Sequence, residues 1–219
     1  MSKPVIVIGN KNYSSWSLRA WIALRKSGAD FDERRLPLDT VQFEEEIADF
    51  SPTRKVPVLW DQAICIWDSL AICEYVNERW ASGSLWPADL AQRARARAIS
   101  AEMHSGFSAL RNQMPMNCRA TGRAVPLNEA LQGDINRIVS LWRECLEEST
   151  GDGDWLFGGF SIADAMYAPV ALRFHTYGVE LPDIVQRYVQ TVLQDSDIRD
   201  WMEAAGNEVE VVEADEAGA

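Results

Sequence analysis

A small α/β unit followed by an all-α unit is the fold class that this 219-residue sequence predicts, on three observations. Short apolar runs of strand length alternate with helix-period segments as far as Trp80. The stretch ASGSLWPADL (81–90) then breaks the composition with Gly, Ser and Pro. Beyond it the patterns are long and helical, and nothing reads as a strand.

PVIVIG (4–9) is apolar, short and closed by glycine, which predicts a buried strand. From Ser15 to Lys26 the apolar positions Trp16, Leu18, Trp21, Ile22 and Leu24 leave a polar face, and Gly28 follows as a stop. FDERRLPL (31–38) alternates imperfectly and suits an edge or second strand, and VQFEEEIADF (41–50) is a short amphipathic helix with a solvated EEE face. VPVLW (56–60) and AICIW (63–67), separated by Asp61-Gln62, predict a hairpin. DSLAICEYVNERW (68–80) returns to helical spacing, so the order is βαβ-α-ββα. Helices are then predicted over 88–114, 126–149, 161–175, 182–194 and 195–205, with a frayed acidic tail, EVEVVEADEAGA, at the end.

A hydrophobic fraction of 47% with 9 Trp is enough to fill a core. No apolar run approaches the roughly 20 residues of a membrane span, and the first run has strand length without a secretory leader's flanks, so a cytoplasmic protein without membrane partners is expected. A net charge of −12 repels polyanions, so RARARA (93–98) reads as a solvated or dimer-facing helix surface and nucleic acid is not an expected partner. Cys65, Cys73, Cys118 and Cys145 lack zinc spacing and read as reduced, mostly buried thiols with no metal. Trp16, Trp21 and Trp67 are expected chiefly in the core.

NYSSWSLRAWIAL (12–24) places Ser14, Ser15 and Ser17 where a strand meets a helix. Such serines cap the free N–H groups of a first turn, and the same N–H groups welcome an anion. Three further segments stand out: SPTRKVPVL (51–59), WDSLAICEY (67–75) and FSIADAMYAPV (160–170), where Ser161 and Asp164 have capping-box spacing.

Taken together, the element order and these segments resemble the cytosolic glutathione S-transferases, and SSWSLRAWIAL resembles the start of the first helix in their zeta class. The resemblance implies a thioredoxin-like glutathione-binding domain over 1–80, a linker over 81–89, an all-α substrate-binding domain over 90–206 and an acidic tail over 207–219. It implies a homodimeric, cytoplasmic enzyme that takes glutathione as co-substrate and a small electrophile as second substrate. In this comparison Ser14 is the thiol-activating hydroxyl and Ser15 an auxiliary donor. Pro57 is the family's cis-proline, turning the Val56 backbone toward glutathione as an added strand would. Ser69 and the following helix N-terminus receive the γ-glutamyl carboxylate, and Asp68, where the family usually has Glu or Gln, faces the ammonium. Gln42, Lys55 or Arg54, Ser108 and Asn112 fall near further glutathione contacts. Trp16, His104, Phe107, Arg111, Arg173 and His175 are candidates for the electrophile's side. Ser161 and Asp164 serve folding.

A thiol with a pKa of about 8.5 is mostly protonated near neutrality, so a hydroxyl donor beside the sulfur and a helix N-terminus would favour the reactive thiolate. There is no GxSxG motif, which speaks against a serine hydrolase. A glutathione transferase is therefore the leading expectation. Trp16 stands where the zeta class has Cys, so glutathione-dependent cis–trans isomerisation of maleylacetoacetate is the second. A non-catalytic binding module is the third, and a cysteine-type redox enzyme is disfavoured because residues 13 to 17 contain no Cys.

Overall fold

A computed structural model describes residues 3–219, which form four strands and nine α-helices. In the N-terminal unit these are β1 (Val5–Ile8), α1 (Ser15–Ser27), β2 (Asp32–Arg35), α2 (Val41–Phe50), β3 (Val58–Asp61), β4 (Ile64–Trp67) and α3 (Ser69–Arg79). The sheet order is β2-β1-β3-β4, with β1 and β2 parallel and the other neighbours antiparallel.

Strand alternation sorts the side chains. Ile6 and its register partner Leu59 face α1 and α3, while Val7 and Val58 face the opposite side and meet Phe43 and Ile47 of α2. α1 stops at Gly28, whose left-handed φ of 73° favours glycine and lets its N–H reach the Arg25 carbonyl. The hairpin turns at Gln62, also left-handed. This is the thioredoxin-like arrangement expected from the sequence.

The second unit contains α4 (Leu90–Ser105), α5 (Ser108–Gln113), α6 (Glu129–Glu148), α7 (Ile162–Thr176), α8 (Asp183–Gln194) and α9 (Ser196–Gly206). α7 is buried almost end to end and packs on both α1 and α4, so one apolar core runs through the two units. The connection between them is packed as well: Leu85 and Trp86 are buried, the Leu85 N–H donates to Asn77 Oδ1, and the Ile162 N–H donates to the Leu85 carbonyl. Among the described residues no helix is long and apolar enough to cross a membrane, and no group of three metal-ligating side chains gathers.

Two expectations fail here. The single helix predicted over 88–114 is two, because the chain turns extended at Gly106 and left-handed at Phe107. A Cβ on Gly106 would lie 2.8 Å from the Glu102 carbonyl oxygen, so the break needs glycine. The acidic tail is not frayed. Glu208 accepts from the backbone N–H groups of Lys11 (2.7 Å) and Asn12 (3.0 Å), and Glu210 pairs with Arg35 at 2.8 Å. Val212 is buried, and Glu216 accepts from Tyr13 Oη (2.6 Å) and Asn117 Nδ2 (2.9 Å) and pairs with Arg123. The acids that suggested solvation instead satisfy donors on the N-terminal unit and on the loops of the helical unit.

Candidate active site

The three serines that open α1 have different jobs. Ser14 is the N-cap: its Oγ lies 3.4 Å from the Ser17 backbone N, which donates to it, and its own hydroxyl donates to Ser17 Oγ at 2.8 Å. Ser17 Oγ also accepts from the Gly9 N–H at 3.1 Å, which ties the end of β1 to the start of the helix. Ser15, first residue of the helix, is buried against the same turn, and its side chain and that of Ser14 line a cavity.

Two adjoining cavities meet there. The first, of about 390 Å³, is lined by Trp16, Thr53, Lys55, Val56, Pro57, Trp67, Asp68 and Ser69. The Val56–Pro57 peptide on its wall is cis. Ser69 is fully buried at the first turn of α3, and its Oγ has no hydrogen-bond partner. Since buried hydroxyls are normally paired, this one is left for something that enters the cavity. Asp68 caps the same helix, its Oδ1 accepting from the Leu70 and Ala71 N–H groups at 2.9 and 3.4 Å. Its Oδ2 lies 3.1 Å from His104 Nε2 of α4, so the acid expected to face a ligand's ammonium also joins the two units.

The second cavity, of about 420 Å³, shares Trp16, Lys55 and Val56 with the first. It runs past Ser14 and Ser15 to Arg111, Pro115, Met116, Arg173 and Asp215. Beneath its floor lies a third guanidinium, Arg19, at 0% exposure. These arginines hydrogen-bond to backbone carbonyls: Arg19 Nε to Met166 at 3.0 Å, Arg173 Nε to Met114 at 2.7 Å and Arg111 Nε to Gly106 at 2.9 Å. Nη1 of Arg111, Nη1 of Arg173 and both Nη atoms of Arg19 are buried without partners. Burial, reinforced by the neighbouring guanidinium charges, drives the Arg19 pKa well down and Arg173 down to about 10; burial alone lowers that of Arg111. The Arg19 and Arg111 guanidinium carbons stand 4.5 and 4.7 Å from the Trp16 ring centre, where the ring's π face partly offsets their charge. Such a cluster is costly until an anion enters.

The structure thus brings together Ser14, Ser15, Trp16, Lys55, Val56, Pro57, Asp68, Ser69, Arg111 and Arg173 on the walls of one continuous groove. Of the rest it brings in only Arg54. Gln42 is exposed and donates to Glu46, while Ser108 and Asn112 are exposed on α5, displaced by the helix break. Phe107 is buried in the core, and His175 lies in a separate cleft. His104 touches the Trp16 ring edge-on at 5.3 Å but lies behind the groove walls. Arg54 lines the second cavity and pairs with Glu44.

Of the three tryptophans expected in the core only Trp21 is buried; Trp16 and Trp67 line the groove, Trp67 at 48% exposure. Sequence reasoning missed Arg19, Thr53, Tyr13 and Asp215. Arg19 had a signal, a charge one turn from Trp16 on a largely apolar helix. Asp215 had none.

Comparison with known proteins gives this groove its context. The family model for the glutathione S-transferase N-terminal domain matches residues 13–79, and that for the C-terminal domain matches 91–206. The chain is 31% identical over 206 residues to a probable maleylacetoacetate isomerase 1 of Drosophila melanogaster, covering 90% of this chain and 80% of that protein. It is 29% identical over 205 residues to a zeta-class glutathione S-transferase of Euphorbia esula, with 83% and 89% covered. Its fold is similar to that of a glutathione transferase homologue from Burkholderia gl BGR1 with bound glutathione. The TM-score is 0.73 at 24% identity, with 94% of this chain and 100% of that one covered.

Proposed function

This chain belongs to the glutathione S-transferase family of enzymes, and on that premise we propose that it activates the thiol of glutathione for attack on a small, carboxylate-bearing electrophile. The first cavity takes the tripeptide and the second the electrophile. The observation that carries the reading is the unpaired Ser69 Oγ, fully buried in the wall of the first cavity at a helix N-terminus and within the same groove as Ser14. A γ-glutamyl carboxylate supplies the acceptor that this hydroxyl lacks, at the positive end of the α3 dipole. Asp68, already held by His104, offers its carboxylate to the ammonium beside it. The Val56 backbone pairs with the cysteinyl part, and Lys55 faces the glycine carboxylate.

The sulfur then lies near the shared wall at Trp16, within reach of the start of α1. Ser17 Oγ accepts from the Gly9 N–H, so its own proton is free to turn toward Ser14 Oγ. That reversal releases the Ser14 proton to point at the sulfur and stabilise the thiolate, with Ser15 as second donor and the buried guanidinium charges adding to the same potential. The hydroxyls donate and keep their protons.

A second reading, cis–trans isomerisation, is favoured by the buried Arg111 and Arg173 edges beside the electrophile, because maleylacetoacetate, the compound in the name of the Drosophila relative, is an acid. The thiolate would add to one carbon of a cis double bond, the resulting single bond would rotate, and expulsion of the thiolate would leave the trans isomer and unchanged glutathione. Trp16 at the junction of the cavities narrows the room for that rotation. The enzyme acts as a cytoplasmic homodimer in this proposal, which sedimentation and cell fractionation check.

The deciding experiment is the ultraviolet thiolate absorbance of bound glutathione against pH, in wild type and Ser14→Ala. Ser14→Ala is expected to bind glutathione and to raise the thiol's apparent pKa by about one unit or more. An unchanged pKa with binding retained removes Ser14 from its role. Absence of glutathione binding in both proteins sinks the catalytic proposal. Turnover of maleylacetoacetate then separates isomerase from transferase.

A further inference from the structure

We infer that Asp215 is a specificity-determining residue: the segment 208–218 forms a wall of the electrophile cavity, and the Asp215 carboxylate selects a monocarboxylate bearing a hydrogen-bond donor over a dicarboxylate of the same shape. This rests on the reading that the second cavity receives an acidic substrate and, because maleylacetoacetate is a dicarboxylate, it favours the transferase reading over the isomerase one.

The segment is held in place by its other acids. Glu208 is fixed by the Lys11 and Asn12 N–H groups, and Glu210 by Arg35, while its carbonyl accepts from Arg119 Nη2 at 3.1 Å. Glu216 is fixed by Tyr13, Asn117 and Arg123, and Arg123 also donates to its carbonyl at 3.2 Å. These anchors bracket the 3-10 turn at Glu213–Asp215 on both sides. The Asp215 side chain anchors nothing. Among the described residues it accepts no hydrogen bond and forms no ion pair, and it lines the cavity together with Arg111 and Arg173.

Its surroundings give it a function that the anchors lack. Arg173, on α7, favours its charge, while Asp39 in the loop before α2 and the adjacent Glu216 oppose it. Burial outweighs the favourable partner and pushes its carboxyl up to about 6, so it is an anion at pH 8. The cavity is therefore lined by one carboxylate, Asp215, by Arg111 and Arg173, each with an unpaired Nη1, and by Lys55 and Arg54, the last paired with Glu44. A ligand with a single carboxylate satisfies the arginines and can turn an N–H or O–H donor toward Asp215. A second carboxylate placed there meets a like charge in a partly desolvated site, where repulsion is poorly screened. Without Asp215 the same wall would be purely cationic and would favour the dianion.

Maleate and maleamate form a matched pair of probes: both are cis and of one size, and the second carries an amide where the first has its second carboxylate. Equilibrium binding at pH 8, without glutathione, is measured for wild type, Asp215→Asn and Asp215→Glu. Wild type is expected to bind maleamate about ten-fold tighter than maleate. Asp215→Asn should lose or invert that ratio, and Asp215→Glu, which keeps the charge, should retain the preference. An unchanged ratio in Asp215→Asn, or a ratio lost in Asp215→Glu, overturns the assignment. So does failure of wild type to bind either probe. Glutathione titration of the same proteins separates the two levels: if wild type binds no glutathione the catalytic proposal falls, while the probe ratio still decides the role of Asp215.

Discussion

Helix α7 carries a buried acid in its first turn and a buried base near its last, and the protein treats them in opposite ways. Asp164 is fully buried, and its Oδ1 accepts from the Leu156 N–H at 3.1 Å while its Oδ2 accepts from the Ser161 N–H and Ser161 Oγ, both at 2.8 Å. Burial pushes its carboxyl up to about 6 against the pull of those donors. Arg173 is 3% exposed, spends Nε on the Met114 carbonyl and leaves Nη1 unpaired in a cavity wall. A buried charge with its donors satisfied fixes a fold; one left partly open is, in the function proposed above, held for a ligand. The contrast lies within a single helix of 15 residues.

The strongest way to break this comparison is at the satisfied end. Asp164→Ala orphans three donors, each worth roughly 1–3 kcal/mol when buried. A loss of roughly 3 kcal/mol or more corresponds, for a chain of this size, to a melting temperature lower by about 6–12 °C. Thermal unfolding checks it, and a change of a degree or two would mean that the box is ornamental.

At the open end the effect should move from stability to activity. Arg173→Met removes an incompletely compensated charge at similar volume, so the melting temperature should hold or rise slightly. The kcat/KM for a carboxylate electrophile should fall about 100-fold, the value of a charged hydrogen bond of about 2.7 kcal/mol, with a neutral electrophile little affected. If Arg173→Met unfolds as readily as Asp164→Ala, the distinction between the two ends is lost.

The smallest expected effect sharpens the same idea in a neutral group. Ser69→Ala deletes a hydroxyl that bonds to nothing in the protein, so stability should be unchanged within about 0.5 kcal/mol. The KM for glutathione should rise about five- to ten-fold with kcat less affected, which steady-state kinetics reads directly.

The N-terminal unit was legible because its signals are local. β1 is an apolar run of strand length, α2 has the predicted bounds of 41–50, and the hairpin turns at Gln62-Ala63, one residue beyond the predicted Asp61-Gln62 break, because Asp61 still pairs with Ile64. Ser14, Ser69 and Pro57 were singled out through the family resemblance of the segments that carry them. What failed depends on backbone geometry and on contacts that periodicity does not carry. Gly106 ends a helix because of its close approach to the Glu102 carbonyl, which periodicity does not register. Trp16 reads as core on an amphipathic pattern, yet its face is taken by Arg19 and Arg111. The acids after Asn207 look like a solvated tail because their partners lie on other elements, up to 203 positions away.

The attachment of Glu216 to Tyr13 has a consequence in time as well as in space. The loop that presents Ser14 is synthesised 203 residues before the Glu216 carboxylate that pins it, on the order of 10–40 s at ribosomal speeds. A nascent chain with its thioredoxin-like unit already folded would still carry an unfinished site. Only a chain extended past Glu216 can make that attachment.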